Sequence, residues 1–510
     1  MKKLNILTLS FLCFVCLTSC TKRNVTNKTE SKIDAVLNVL HQNEQFNGGV
    51  LIAKGDKVIF KKTYGYASFE KNTLLNENTV FQTASISKTF TAVAVLQLIE
   101  QGKLSLDSKL VDFFPKLPYL DITIYHLLSH TTGLYPYNPL FVKNWDHKKI
   151  ATNKDILEMY ISEKPKQLHA TGAESGYANI GYVFLSLIVE KISGVSFDEY
   201  LKKEVLLPSK MNNTQVYTLL SKQRIDNFAE EHVLDPFTGN YKTPLNLEYH
   251  KEVYYLNGKV GDDKVASTLD DLWKWNRALF TYKILPKATL DKAFTSSITN
   301  IPDSLRRAPF DYGLGFQLED NKKFGNIIYH NGGEPGLRAR FIYYKDHDIS
   351  IILYANAQSE HINIIRNILI SVMLDLPYKM PKKSFINELY KVAKNGNSEI
   401  LKVVNTYKND TTYSIKENEI DRLAGIFWVA KNYEVGFNLL KLNIELFPKS
   451  INARYTLGEG YYETNQFSEA LKYLKMLRPM MLARPKEKQN LNYLKYIDSF
   501  IDEINNKISK

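Results

Sequence analysis

The chain has 510 residues, 44% of them hydrophobic and 24% charged, with a net charge of +12. That length rules out one ordinary core and implies two or three domains, and the composition is that of a soluble globular protein. The lysines are well spread, and no basic stripe carries interleaved aromatics, which argues against nucleic acid as a partner. A basic surface suits an anionic lipid or cell-wall layer, or simple solubility.

The N-terminus reads as an export signal. Met1-Lys2-Lys3 is basic, Leu4 to Val15 is apolar, and the segment ends in Leu17-Thr18-Ser19-Cys20. It is too short for a comfortable membrane span. The ending resembles a bacterial lipobox, which implies a signal over residues 1–19, cleavage before Cys20 and a lipid on its thiol. The polar residues 20–30 then form a tether. Such a protein would be a lipoprotein anchored to the membrane and facing the periplasm or cell surface. All three cysteines (Cys13, Cys16, Cys20) lie here. After cleavage one remains, lipidated, so no internal disulfide is expected and core packing must hold the fold.

The elements follow in order. Ile33, Val36, Leu37 and Val39-Leu40 have helical spacing over residues 31–42. Gly48 to Lys54 and Lys57 to Lys61 are apolar strands around a Gly55-Asp56 turn, a hairpin signature. Ser85-Ile86-Ser87-Lys88 then opens an apolar helix reaching Ile99. One turn separates Ser85 from Lys88, so both side chains share a face. A serine hydroxyl needs a neighbour to take its proton, and a lysine held close, partly dry and near a helix N-terminus can do so. That terminus also offers N–H groups to an oxyanion. By itself Ser-x-x-Lys is a chance-level motif in a lysine-rich chain.

His126 and His130 stand four apart, but no third ligand with suitable spacing follows. They read as hydrogen-bonded helix residues supporting a site, not as a zinc pair. Tyr177-Ala178-Asn179 precedes an apolar helix, Val183 to Ile192. A phenol beside an ammonium gives up its proton more readily, and an asparagine two residues on can bond the lysine and a substrate amide. Thr268-Leu269-Asp270-Asp271 is a capping box before Leu272, Trp273 and Trp275. Late strands run from Phe324 to His330, Ala339 to Tyr344 and Ile349 to Tyr354, and the Gly-rich stretch that continues from His330 as Asn331-Gly332-Gly333 reads as a loop between the first two. Two glycines there let a substrate backbone lie close and free an N–H for an oxyanion hole. A helix from about His361 to Leu376 closes the region. Strands at both ends with helices between predict an α+β fold, one antiparallel sheet assembled from both termini.

Together these motifs resemble the serine β-lactamase and penicillin-binding-protein superfamily, in its class C-like branch, over residues 31–376. Leu127-Leu128-Ser129-His130-Thr131-Thr132-Gly133-Leu134 and Tyr312-Gly313-Leu314-Gly315 look like further signatures of that branch. The resemblance implies Ser85 as acylated nucleophile, with Lys88 and Tyr177 sharing general-base and proton-delivery work. It implies that Asn179 orients Lys88 and substrate, that His330 lines the site, and that the Ser85 and Gly333 N–H groups, with Gly332 beside them, form the oxyanion hole. No metal or organic cofactor is implied. Many members acting on penicillins carry lysine where this chain has His330. A histidine near its usual pKa of ~6.5 is mostly neutral at pH 7, so the chain looks more like an esterase or peptidase-like member. Arg338 or Arg340 could replace the cation, although an outward-facing strand position is the more ordinary reading. Thr171-Gly172 stands where many relatives have Pro-Gly, and only a local loop effect is expected. Loops 135–149 and 246–261 are expected to shape the pocket.

Residues 381–417 read as a linker, and 418–510 as pure helix with a repeat. A shift of 34 residues lays Leu423 on Leu457, Ala424 on Gly458, Phe427 on Tyr461, Tyr433 on Phe467, Gly436 on Ala470 and Leu440 on Leu474. This resembles the tetratricopeptide repeat, with Pro448 ending the first unit and a capping helix over 489–508. The expected function is a serine hydrolase of an ester or amide, with a D-amino-acid peptide as one substrate class. β-Lactam turnover or penicillin binding is an alternative. A binding lipoprotein without turnover, using the repeats to hold a protein partner, is the competing class.

Overall fold

The computed structural model describes residues 28–307, 310–357, 361–483 and 491–509. The expected export signal, residues 1–19, and Cys20 lie outside them. The chain divides into two units. One runs to Val233 and from Lys242 to Pro381; the other comprises Leu234–Tyr241 and the chain from Lys382.

The first unit is built on a helix over residues 28–42 (α1) and a hairpin, β1 (Gly48–Lys54) and β2 (Lys57–Tyr64). Residues 28–30, expected in the tether, are already helical. Next come helices α2 (Ser87–Glu100), α3 (Ile124–Leu128), α4 (Asn179–Ser193) and α5 (Leu269–Phe280). The chain then returns to the sheet through β3 (Asp311–Tyr312), β4 (Gln317–Asn321), β5 (Gly325–Glu334), β6 (Leu337–Tyr344) and β7 (Ile349–Ala355), and ends in α6 (Ile362–Met373). The sheet has seven strands in the order β3-β4-β5-β6-β7-β1-β2. β1 pairs antiparallel with β7, Gly48 opposite Ala355, so the two ends of the unit meet in mid-sheet.

The period of two along β1 explains its continuous apolar run. Leu51 and Ala53 enter the large core with α2, α4 and α5, while Val50 and Ile52 enter a second core with α1 and α6. Both faces are covered, so both sets must be apolar. Each fully buried Leu or Ile adds roughly 1.5–3 kcal/mol. Helix α2 is buried on almost every side, from Ser87 to Leu96, as its lack of a polar face requires. Thr268 caps α5, accepting from the Asp271 N–H, but the Asp271 carboxylate does not complete a box. It accepts from the Asn213 N–H and from Lys274 instead.

The Gly-rich stretch is not a loop. Gly332 and Gly333 pair with Ala339 and Arg338 inside β5, and the turn falls after Glu334.

In the second unit, residues 381–417 are not a linker. They carry α7 (Phe385–Val392) and α8 (Asn397–Tyr407), and Phe385, Leu389, Ile400 and Val404 belong to the unit's core. Four helices follow, α9 (Glu417–Val429), α10 (Tyr433–Leu446), α11 (Ile451–Glu463) and α12 (Phe467–Leu482), then α13 (Leu491–Ile508). The pairs α9–α10 and α11–α12 start 34 residues apart, at 417 and 451 and at 433 and 467. Small residues sit where partners cross. A Cβ on Gly458 would stand 2.8 Å from Leu474, and one on Gly436 would meet the Ala424 carbonyl at 3.6 Å.

Candidate active site

Ser85 sits in a 3-10 turn, Ala84–Ile86, one step before α2 begins at Ser87. Ala84 has φ +46°, a left-handed conformation that costs a residue with a Cβ about 1–3 kcal/mol. The turn is held from outside. Thr83 donates to the Val265 carbonyl through both its N–H (2.9 Å) and its hydroxyl (2.8 Å). Ser87 Oγ accepts from the Val265 N–H at 3.0 Å. These bonds bring the segment just before Val265 onto the first turn of α2.

Lys88 is fully buried. Its Nζ donates to Ser85 Oγ at 3.2 Å and to the Asp262 carbonyl at 2.7 Å. It also lies 5.0 Å from the centre of the Tyr177 ring and 5.6 Å from that of Tyr182. Ser85, Lys88 and Tyr177 thus converge from the 3-10 turn, the first turn of α2 and the segment ahead of α4. Asn179 opens α4 and lines the same cavity, yet no hydrogen bond joins it to Lys88 among the described residues. The orienting partner is the Asp262 carbonyl, which motif reading missed. Asn179 Oδ1 is buried with no partner among the described residues, an acceptor suited to a substrate N–H.

β5 forms the opposite wall. Its pairing with β4 stops at Tyr329, and the Asn331 N–H instead reaches Gln317 Oε1 at 2.9 Å. Alternation along a strand turns the Gly333 N–H to that same unpaired edge. Gly332 abuts the nucleophile turn and could carry no side chain there.

His330 does not line the cavity; it is fully buried behind it. Its Nδ1 donates to the Asn331 carbonyl at 2.8 Å, which leaves Nε2 to accept from the Tyr312 hydroxyl at 3.0 Å. Burial, then the Lys88 charge, hold it down to about 3, so it is neutral at physiological pH. His130 is likewise buried, and it follows α3 in a left-handed conformation (φ +58°) instead of sitting on the helix. Its Nδ1 accepts from the Ala178 N–H at 3.1 Å, and its ring stands 4.3 Å from that of Tyr177. Burial and Lys88 push it well below the usual histidine range. His126 is spent on Thr123, whose N–H reaches Nδ1 at 3.2 Å.

The cavity encloses about 670 Å³, with Ser85, Tyr177, Asn179, Gly333, Arg338 and Arg340 on its wall. Arg340 is not outward: it is 6% exposed. It donates to Asn363 Oδ1 at 2.9 Å and to the Ala339 carbonyl at 2.7 Å, and among the described residues no carboxylate pairs with it. Burial, with Arg338 and Arg366 nearby, pulls its guanidinium down to about 9. Of the two pocket loops, residues 135–149 contribute Pro136, Tyr137 and Asn138 to this wall. Residues 246–261 instead border a second cavity of about 580 Å³, whose wall also includes Ala84, Lys264 and Glu334.

The β-lactamase family model matches residues 33–371. The chain belongs to the β-lactamase family. It is 35% identical to penicillin-binding protein 4* of Bacillus subtilis over 354 residues, 69% of this chain and 77% of that one. Among solved structures it matches a penicillin-binding protein from Bacillus halodurans at 25% identity and a TM-score of 0.56, covering 66% of this chain and 97% of that one. The fold also matches D-amino acid amidase from Ochrobactrum anthropi SV3, at 19% identity and a TM-score of 0.58, covering 68% of this chain and 99% of that one. The β-lactamase-like α+β fold expected from the sequence holds, and the chain is a serine hydrolase of this superfamily.

Proposed function

We propose that the protein cleaves an ester or amide through an acyl-enzyme on Ser85, and that its substrate carries a carboxylate. The observation that carries this is the 3.2 Å contact between Lys88 Nζ and Ser85 Oγ at the foot of an open cavity. Ser85 Oγ attacks the carbonyl carbon and loses its proton to Lys88. The carbonyl oxygen takes the negative charge, bonded by the Ser85 and Gly333 N–H groups. The C–N or C–O bond breaks, and the leaving group receives the proton through Lys88 and Tyr177. Water then attacks the acyl ester and gives a proton to the same groups, the bond between the carbonyl carbon and Ser85 Oγ breaks to release the acid, and that proton returns to Oγ.

Arg340 supports the substrate class. A buried guanidinium that no carboxylate pairs with among the described residues suits the acid end of a peptide. With the amidase-like fold, this favours a D-amino-acid peptide. The same cation fits a β-lactam carboxylate, so penicillin acylation is the second reading. Anchoring through Cys20 on an exported lipoprotein, and a protein partner on the tetratricopeptide-like helices, complete the proposal. It rests on the lipobox-like sequence and the 34-residue helical period.

The test is labelling of the full chain with a fluorophosphonate and with a fluorescent penicillin, alongside turnover of nitrophenyl acetate. Label on Ser85, abolished by Ser85→Ala, is the expected result. A folded protein that takes neither probe and turns over no ester is a binding scaffold instead.

A further inference from the structure

Four buried ionisable side chains that the mechanism above does not use, with Glu334 a quarter exposed at their edge, form a chain of ion pairs that reaches Lys88. Lys259, Asp262, Asp263 and Lys264 are each 6% exposed or less. Lys259 Nζ lies 3.0 Å from Asp262 and 2.6 Å from Asp263. Lys264 Nζ lies 3.2 Å from Asp263 and 3.5 Å from Glu334. The Tyr137 hydroxyl donates to Asp262 at 2.8 Å. The two ends of this cluster touch the two halves of the site. Asp262 holds Lys88 through its carbonyl, and Glu334 follows Gly333 in β5.

Stability does not account for such a cluster. Desolvating so many charges costs about as much as their attraction returns, and apolar side chains of similar size serve a core equally well. The cluster reaches Lys88 through one member, Asp262. Asp262 meets Lys88, Lys259 bridges Asp262 to Asp263, and Lys264 bridges Asp263 to Glu334. The other neighbours of Lys88 are His130 and His330, both held neutral, and the rings of Tyr177 and Tyr182.

We propose that Lys259, Asp262, Asp263, Lys264 and Glu334 form a positioning device that fixes Lys88 against Ser85 and sets how readily it sheds its proton. This rests on the reading of Ser85 and Lys88 given above. A negative charge near an amine favours the ammonium, and a positive charge disfavours it. Asp263, held low by the two lysines despite its burial, is ionised throughout the physiological range. Burial keeps the Glu334 carboxyl well up, so it adds its charge only on the alkaline side. Asp263 Oδ1 is buried with no hydrogen-bond partner among the described residues.

The experiment is the pH profile of fluorophosphonate acylation, in wild type, Asp263→Asn and Lys259→Met. Removing the acid should move the midpoint of the rising limb down by about one pH unit, and removing the lysine should move it up by a similar amount. Packing damage alone lowers rates without moving midpoints in opposite directions. Thermal melts show whether each variant folds. If either does not, Glu334→Gln must lower the rate's pH dependence on the alkaline side. A labelled wild type whose profile coincides with those of the folded variants overturns this proposal alone. A wild type that takes no label at any pH overturns the Ser85 reading and this proposal with it.

Discussion

Gly332 lies against the Thr83 carbonyl so closely that a Cβ on it would stand 2.3 Å from that oxygen. The oxygen is backbone, and the turn carrying Ser85 starts at the next residue. Gly332→Ala should therefore push the nucleophile turn away from β5. Overpacking of this kind costs about 1–3 kcal/mol. A lowered melting temperature with loss of acylation is expected. Unchanged values for both would mean that the turn yields freely.

Lys88 and Tyr177 should each matter to chemistry more than to folding. Lys88→Ala and Tyr177→Phe are each expected to slow acylation at least ~100-fold, the scale of a positioned acid or base. Stopped-flow labelling measures this directly. Rates equal to wild type in both variants would remove these residues from the mechanism.

His330 should make the fold sensitive to acid. Its native pKa, about 3, lies below the reference value of 6.5, so the unfolded chain binds the extra proton. Its contribution is complete above about 6.5 and is lost as pH falls toward about 3. The urea midpoint should fall through that window, and His330→Gln should flatten its slope. An unaltered slope would show that other groups carry the acid response.

Arg340 should sort substrates by charge. Arg340→Gln is expected to raise KM for carboxylate-bearing peptides roughly tenfold to a hundredfold, the worth of a charged hydrogen bond. Neutral nitrophenyl esters should be affected far less. Equal losses on both classes would mean that Arg340 serves β5 and not the ligand.

Much of the site was readable because its motifs are local. Ser85 and Lys88 share a face by helix geometry, Tyr177 and Asn179 sit two apart, and two glycines in a strand imply close approach. Other features were not local. Asp262 lies in a charged stretch, Lys259 to Lys264, that belongs to none of the motifs. The Val265 pairing with Thr83 turns it inward, beneath Lys88.

The sequence by itself determined the alternation that buries β1 on both faces, the 34-residue helical period, and the residue types that a serine hydrolase needs. These depend on spacing along one chain. Tertiary structure alone decided which carbonyl orients Lys88, that His330 backs the wall instead of lining it, and that Arg340 faces the cavity. It also decided that residues 381–417 join a core. Each of these depends on which distant segments share a dry interior, where burial and unpaired charge set the chemistry of a side chain whose identity is already known.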